Sequence, residues 1–306
     1  MFKINIEYFI IFIVPISCLA QIKIENNNQS RFVNQYDFIE QIKSDDNYAE
    51  IKKKHSQILG RNRDPKESSE ISKATLQFRK FSWILMTLPG LRFWTRVLYP
   101  KSTVSHFNNS NAVAFTIDDG FCGGNNPNVC MIEEVREIFK FYDAKATFFV
   151  TGNHCLSTNK YQVDLLLKEG HEISNHNFFD WKYNRYSSKD FEYDLLITEK
   201  ILTNYRNKTS KWYRAPFGRL SKNMQLVLKK NDMIHVLPDV FAHDTFIPDP
   251  KWIAKYILKR VKPGSIILIH MPEIGLREWN FEAMKLTLAG LKEKGLKVIN
   301  LSQMNN

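Results

Sequence analysis

From residue 112 onward the chain alternates between two kinds of hydrophobic pattern. Short apolar or β-branched runs fall at 112–117, 146–150, 171–175, 211–215, 234–238, 265–270 and 297–301. Between them lie stretches of helical periodicity at 129–142, 161–169, 188–205, 221–230, 250–261 and 280–293. Gly170, Gly264 and Gly295 fall where three of these helices should stop, because glycine readily adopts the left-handed conformation that ends a helix. When a helix follows each strand, it carries the chain back to the starting edge, so successive strands run parallel. Seven strands and six helices therefore predict an α/β fold, a deformed (β/α) barrel of about seven parallel strands rather than a long open sheet.

The first strand stops abruptly. In AVAFTIDDG an apolar run ends at Asp118 and Asp119, followed by Gly120. Adjacent like charges resist burial, so one carboxylate is expected to meet a cation and the other to handle protons; the plain alternative is a surface Asp-Asp-Gly turn. In a β/α barrel the chemistry sits at the carboxyl ends of the strands. His176 ends the third strand, Arg214 the fourth and His270 the sixth, while Asp239 and Asp244 follow the fifth. Polar accidents would fall at both strand ends equally; these gather on one rim. His176 and Asp180 are four residues apart, so a helical loop would put them on one face, with Asp119 as a third ligand. One imidazole with two carboxylates suits a divalent ion with open positions for water: zinc first, with cobalt or manganese as alternatives.

These segments resemble a known family. Thr116-Ile117-Asp118-Asp119-Gly120, Asn175-His176-Asn177-Phe178-Phe179-Asp180, Arg214-Ala215-Pro216-Phe217-Gly218 and Leu268-Ile269-His270 are similar, in order, to the motifs of the polysaccharide deacetylases, the NodB-homology group or carbohydrate esterase family 4. The resemblance implies a metal-dependent hydrolysis of N-acetyl groups on a glycan containing N-acetylglucosamine, chitin-like oligosaccharide ahead of peptidoglycan. By position it makes Asp119 and His176 metal ligands, Asp118 the general base, His270 the general acid and Arg214 the residue that holds Asp118 ionised. Two departures stand out. The family's second motif normally ends in histidine, and Asp180 stands there, a harder and more negative ligand. The fourth motif usually carries two aspartates and a tryptophan, whereas 241–245 reads FAHDT, leaving Asp244, Asp239 or no residue at all to tune His270. Rival readings are an inactive glycan-binding barrel and a deacetylase of O-acetyl or small-amide substrates.

Smaller expectations attach to single residues. Phe178, Phe179, Trp181 and Tyr183 would either stack on sugar rings or simply pack. His171 reads as structural, His243 as a further rim candidate, and Met271-Pro272-Glu273 as a wall for the acetate.

Ahead of the barrel, residues 1–20 read as a secretory signal peptide, with an uncleaved membrane anchor as the alternative, which places the protein outside the cell or on its surface. Residues 21–111 form an extension whose 73–100 segment concentrates aromatics and leucines around Pro89-Gly90. That segment is expected to pack on the barrel; the competing reading is an amphipathic stretch over 76–100 in peripheral contact with a membrane. Loss of 1–20 would leave Cys122, Cys130 and Cys155, with a Cys122–Cys130 disulfide bracing the loop after Asp119 and Cys155 free. Asn28, Asn108, Asn207 and Asn300 open N-glycosylation triplets. A net charge of +11 suits acidic partners, but the basic residues are interleaved with acids and no phosphate-cradling glycine loop is present, so nucleic acid is not expected.

Overall fold

The computed structural model describes residues 71–108, 111–121, 130–205 and 210–304. Helices α1 (Lys73–Met86) and α2 (Leu91–Leu98) precede the barrel. There follow β1 (Ala112–Gly120), α3 (Ile132–Phe141), β2 (Ala146–Val150), α4 (Gly152–Ser157), α5 (Lys160–Lys168) and β3 (Glu172–Asn175). The second half holds α6 (Ser188–Thr203), β4 (Trp212–Tyr213), α7 (Lys222–Lys230), β5 (Ile234–His235), β6 (Val240–Phe241) and α8 (Pro250–Arg260). It closes with β7 (Ile266–His270), α9 (Trp279–Glu293), β8 (Lys297–Ile299) and the short α10 (Leu301–Met304). The signal-peptide segment 1–20 and the extension 21–70 lie outside the described residues, as does Cys122.

All strand pairs are parallel, in the order β5-β4-β3-β2-β1-β7-β6, with β8 paired to the first residues of β1. Each run expected from the sequence contributes a strand. The additional one is β6, two residues long.

The sheet must curl. Arg214, just after β4, lies three strands from β1 in the sheet order, a spacing of about 14 Å if the sheet were flat. Its Nη1 nevertheless donates to Asp118 Oδ1 at 2.6 Å. The open seam beside β5 is bridged by the segment 103–107: Val104 N donates to His235 O at 2.9 Å, and Phe107 N donates to Gly264 O at 2.8 Å. Inside, β1 is buried at every position, as a strand covered on both faces must be. Ala114, Phe149, Trp212, Val236 and Ile266 pack together within the barrel. Gly170, Gly264 and Gly295 all have positive φ, in keeping with their role as helix stops.

Several secondary expectations are resolved by packing. His171 accepts a hydrogen bond from Ala146 N at 3.1 Å and sits edge-on between Phe139 and Phe148. Burial, then the charge of Lys145, pushes it down to about 3, so it is a neutral structural imidazole. Asn300 is buried and donates to Gly170 O at 3.0 Å, which removes it as a glycosylation site. Cys130 is disulfide-bonded, and Cys155 is a buried thiol outside any disulfide.

Helices α1 and α2 dock on the barrel through polar side chains. Lys80 Nζ pairs with Asp249 Oδ2 at 2.6 Å, Arg79 Nη1 donates to Phe246 O at 2.9 Å, and Trp83 Nε1 donates to Phe241 O at 3.0 Å. The Thr87 and Tyr256 hydroxyls are 2.7 Å apart, and Arg92 Nε meets Asp239 Oδ2 at 2.5 Å.

Candidate active site

Successive side chains of a regular strand point to opposite faces, so Asp118 and Asp119 should diverge. They do not, because the β1–β2 register breaks between Ile117 and Gly120 and Asp119 adopts a positive φ of 54°. A bulge of this kind re-aims a side chain, and here it brings both carboxylates to the rim. The turn must then pass close to β2. A Cβ on Gly120 would lie 2.9 Å from Val150 Cγ2 and 3.1 Å from Phe148 Cβ, so glycine is required there.

Asp119, His176 and Asp180 present ligand atoms all within 4.8 Å of one another. His176 Nδ1 lies 2.8 Å from the Arg214 carbonyl, an acceptor, so Nδ1 carries the proton and the lone pair is on Nε2. Nε2 lies 3.8 Å from Asp119 Oδ1. The other Asp119 oxygen, Oδ2, accepts from Arg277 Nη1 at 2.6 Å. Burial opposes the Asp119 charge, but Arg277, then His270 and His176, hold its carboxyl far below the usual range. Asp180 is pushed the other way, up to about 6, by burial and by the charge of Asp119.

Two acid–base pairs flank this cluster. Asp118 is gripped by Arg214, whose Nη1 also donates to Thr116 Oγ1 at 2.8 Å, whose Nε donates to Val236 O at 3.2 Å, and whose guanidinium lies 4.2 Å over the Phe149 ring. Opposite Asp118 in the β1–β7 register is His270. Its Nδ1 lies 3.1 Å from Asp244 Oδ1, and its backbone N donates to Asp244 Oδ2 at 2.8 Å. Burial opposes a charge on His270, but Asp244 and then Asp119 outweigh it and hold the imidazole above its ordinary value.

The six residues read from the sequence, Asp118, Asp119, His176, Asp180, Arg214 and His270, thus converge on one rim. Asp239 is placed elsewhere: it accepts from Ile266 N at 2.7 Å and Ser265 Oγ at 3.1 Å, at the opposite end of β7 from His270. His243 packs against Trp83, ring centroids 4.6 Å apart. Phe178 and Tyr183 are core residues; only Trp181, 40% exposed, with Phe179 stacked on it at 4.3 Å, offers a face to solvent. Arg277 escaped the sequence reading, as did Asn280, which donates to Asp244 Oδ2 at 2.6 Å. Both lie just beyond β7, where no motif points to them.

The donor set fits a divalent cation: two carboxylates and an imidazole whose free nitrogen is fixed by a hydrogen bond on the other. Fold and site together define a (β/α)-barrel hydrolase. Residues 107–236 match the model of the polysaccharide deacetylase family, the NodB-homology group of carbohydrate esterase family 4. A peptidoglycan-N-acetylglucosamine deacetylase of Bacillus cereus is 28% identical over 199 residues, 64% of this chain and 89% of that protein. A chitooligosaccharide deacetylase of Azorhizobium caulinodans is 29% identical over 163 residues, 53% of this chain and 74% of that protein. The fold also superposes on a carbohydrate esterase family 4 pseudoenzyme from Bacillus anthracis with a TM-score of 0.58, at 22% identity, over 67% of this chain and 69% of that one.

Proposed function

We propose that this protein is a metal-dependent deacetylase that hydrolyses N-acetyl groups on an N-acetylglucosamine-containing glycan, chitin-like oligosaccharide ahead of peptidoglycan, outside the cell. The observation that carries the reading is the flanking of one cation-ligand cluster by two separately buttressed proton-transfer groups, Asp118 with Arg214 and His270 with Asp244. A binding protein has no need of both. Asp119, His176 and Asp180 would hold the cation, which supplies polarisation of the acetyl carbonyl and acidification of water. Asp118, fixed by Arg214, accepts the proton from the attacking water. His270, fixed by Asp244, returns a proton to the sugar nitrogen as the C–N bond breaks, so acetate and a free amine result. Trp181 is the aromatic face best placed to stack on a sugar ring.

Acetate release from chitin oligosaccharides after chelation and reloading with zinc, cobalt or manganese tests the reading. Restoration by one ion supports it. Silence with every ion while glycan binding persists overturns it in favour of a binding barrel, and release from peptidoglycan alone moves the substrate class. Asp180→His should raise zinc affinity relative to manganese by about tenfold in chelator competition, since imidazole is the softer ligand.

Cation loading should also depend on pH. A carboxyl at about 6 is neutral below that value and must lose its proton to bind, so affinity is expected to fall roughly tenfold per pH unit below about 6. Calorimetry in buffers of different ionisation enthalpy should detect the released proton, and Asp180→Asn should abolish the step.

A further inference from the structure

Helices α1 and α2 are amphipathic the wrong way round. At 100° per residue, Lys80, Trp83 and Thr87 share the face of α1 that is buried on the barrel. Phe78, Phe81 and Leu85 occupy the opposite face and are 69%, 60% and 51% exposed. In α2 the buried residue is Thr95, while Phe93 and Val97, half a turn away, are 49% and 59% exposed. Leu88, between the helices, and Leu98 add to the same exposed set. A surface helix of a soluble domain normally turns its apolar stripe inward and its charges outward; here, apart from the Trp83 ring, both helices dock through polar groups and display aromatics and leucines. Exposed apolar side chains concentrated on the outer side of two successive helices mark an interaction surface.

Its charge identifies the partner. Residues 71–111 contain six Lys and Arg and no Asp or Glu. Lys80 and Arg92 are paired with barrel aspartates, while Arg96, between Phe93 and Val97 in α2, is exposed, as are Lys73 at the start of α1 and Lys101 just after α2. Apolar side chains rimmed by cations, with no acid among them, match an anionic lipid surface, into which such a face sinks to headgroup depth while the cations meet the phosphates. Among the described residues no helix is long and apolar enough to cross a membrane, so these helices would lie on the bilayer.

We infer that the α1–α2 face is a peripheral membrane-docking surface for anionic lipid. The test uses the full chain in a Cys18→Ser background, carrying an environment-sensitive dye at Phe81→Cys or, as a control on α7, at Leu226→Cys, which is equally exposed. Vesicles of phosphatidylcholine with one-third phosphatidylglycerol should blue-shift the dye at 81 and leave the dye at 226 unchanged; pure phosphatidylcholine vesicles or high salt should weaken the shift. Phe78→Ser combined with Leu85→Ser should raise the lipid concentration for half-maximal shift by about tenfold or more. The variants should retain acetate release from soluble oligosaccharide, which reports an intact barrel. No shift at 81, or equal shifts at both positions, overturns the proposal. A shift at 81 without vesicles that grows with protein concentration also overturns it, assigning the face to a second copy of the chain.

Discussion

Replacing Asp118 with asparagine is expected to lower acetate release by about 100-fold to 10,000-fold, the range for loss of a positioned proton-transfer group. Asparagine has nearly the same shape and keeps an oxygen to accept from Arg214 Nη1, now 2.6 Å from Asp118 Oδ1. What it cannot do is take a proton from water. Because Asp118 is not in the ligand cluster, cation affinity should be unchanged in order of magnitude, and the melting temperature should move little. Removing His270 as well should cost far less than the product of the two single losses, since groups that act in one reaction are not additive. Full activity in the Asp118→Asn variant would remove the assigned base and with it the proposed chemistry.

The second large effect is on stability. Arg214 is 1% exposed, and its guanidinium is the counter-ion of Asp118, which is also buried. Arg214→Met keeps a flexible apolar stem but leaves a buried carboxylate unpaired, which should cost about 3–5 kcal/mol, or roughly 10 °C in melting temperature for a domain of this size. The cost is chiefly the stranded charge rather than lost packing, so adding Asp118→Asn should make the double variant more stable than Arg214→Met alone. Denaturant titration of the four proteins measures this directly; a double variant weaker than both singles would assign the loss to packing over Phe149 and to the hydrogen bonds with Thr116 and Val236 instead.

The features legible in the sequence were those with a period or a motif. Strands such as β1 and β7 are uninterrupted apolar runs, and their partners follow from the alternation with helices. The rim residues were legible because each sits at the end of such a run. Asp239 was misplaced for the same reason: it follows a strand, but the next element, β6, is only two residues long, and the chain has already turned toward the start of β7. Arg277 reaches Asp119 from a loop with no repeating pattern, and only the three-dimensional path of the chain brings the two together. For α1 the helical period was visible, but not which side would face inward. A rule that turns apolar residues inward gives the reverse of what Lys80 and Phe81 do.

The placement of the two carboxylates on β1 also bears on how the site can move. β1 is hydrogen-bonded to β2, β7 and β8, so its amides should exchange with solvent only through near-global opening. His176 and Asp180 come instead from the chain beyond the four-residue β3, and Arg277 from the chain beyond β7. The two carboxylates on β1 are therefore held at the full unfolding free energy of the domain, while His176, Asp180 and Arg277 can sample open states at lower cost. Ligand-dependent protection from exchange is expected to concentrate in the segments that carry His176, Asp180 and Arg277, which lets the cluster adjust around a cation without loosening the residue that handles the proton.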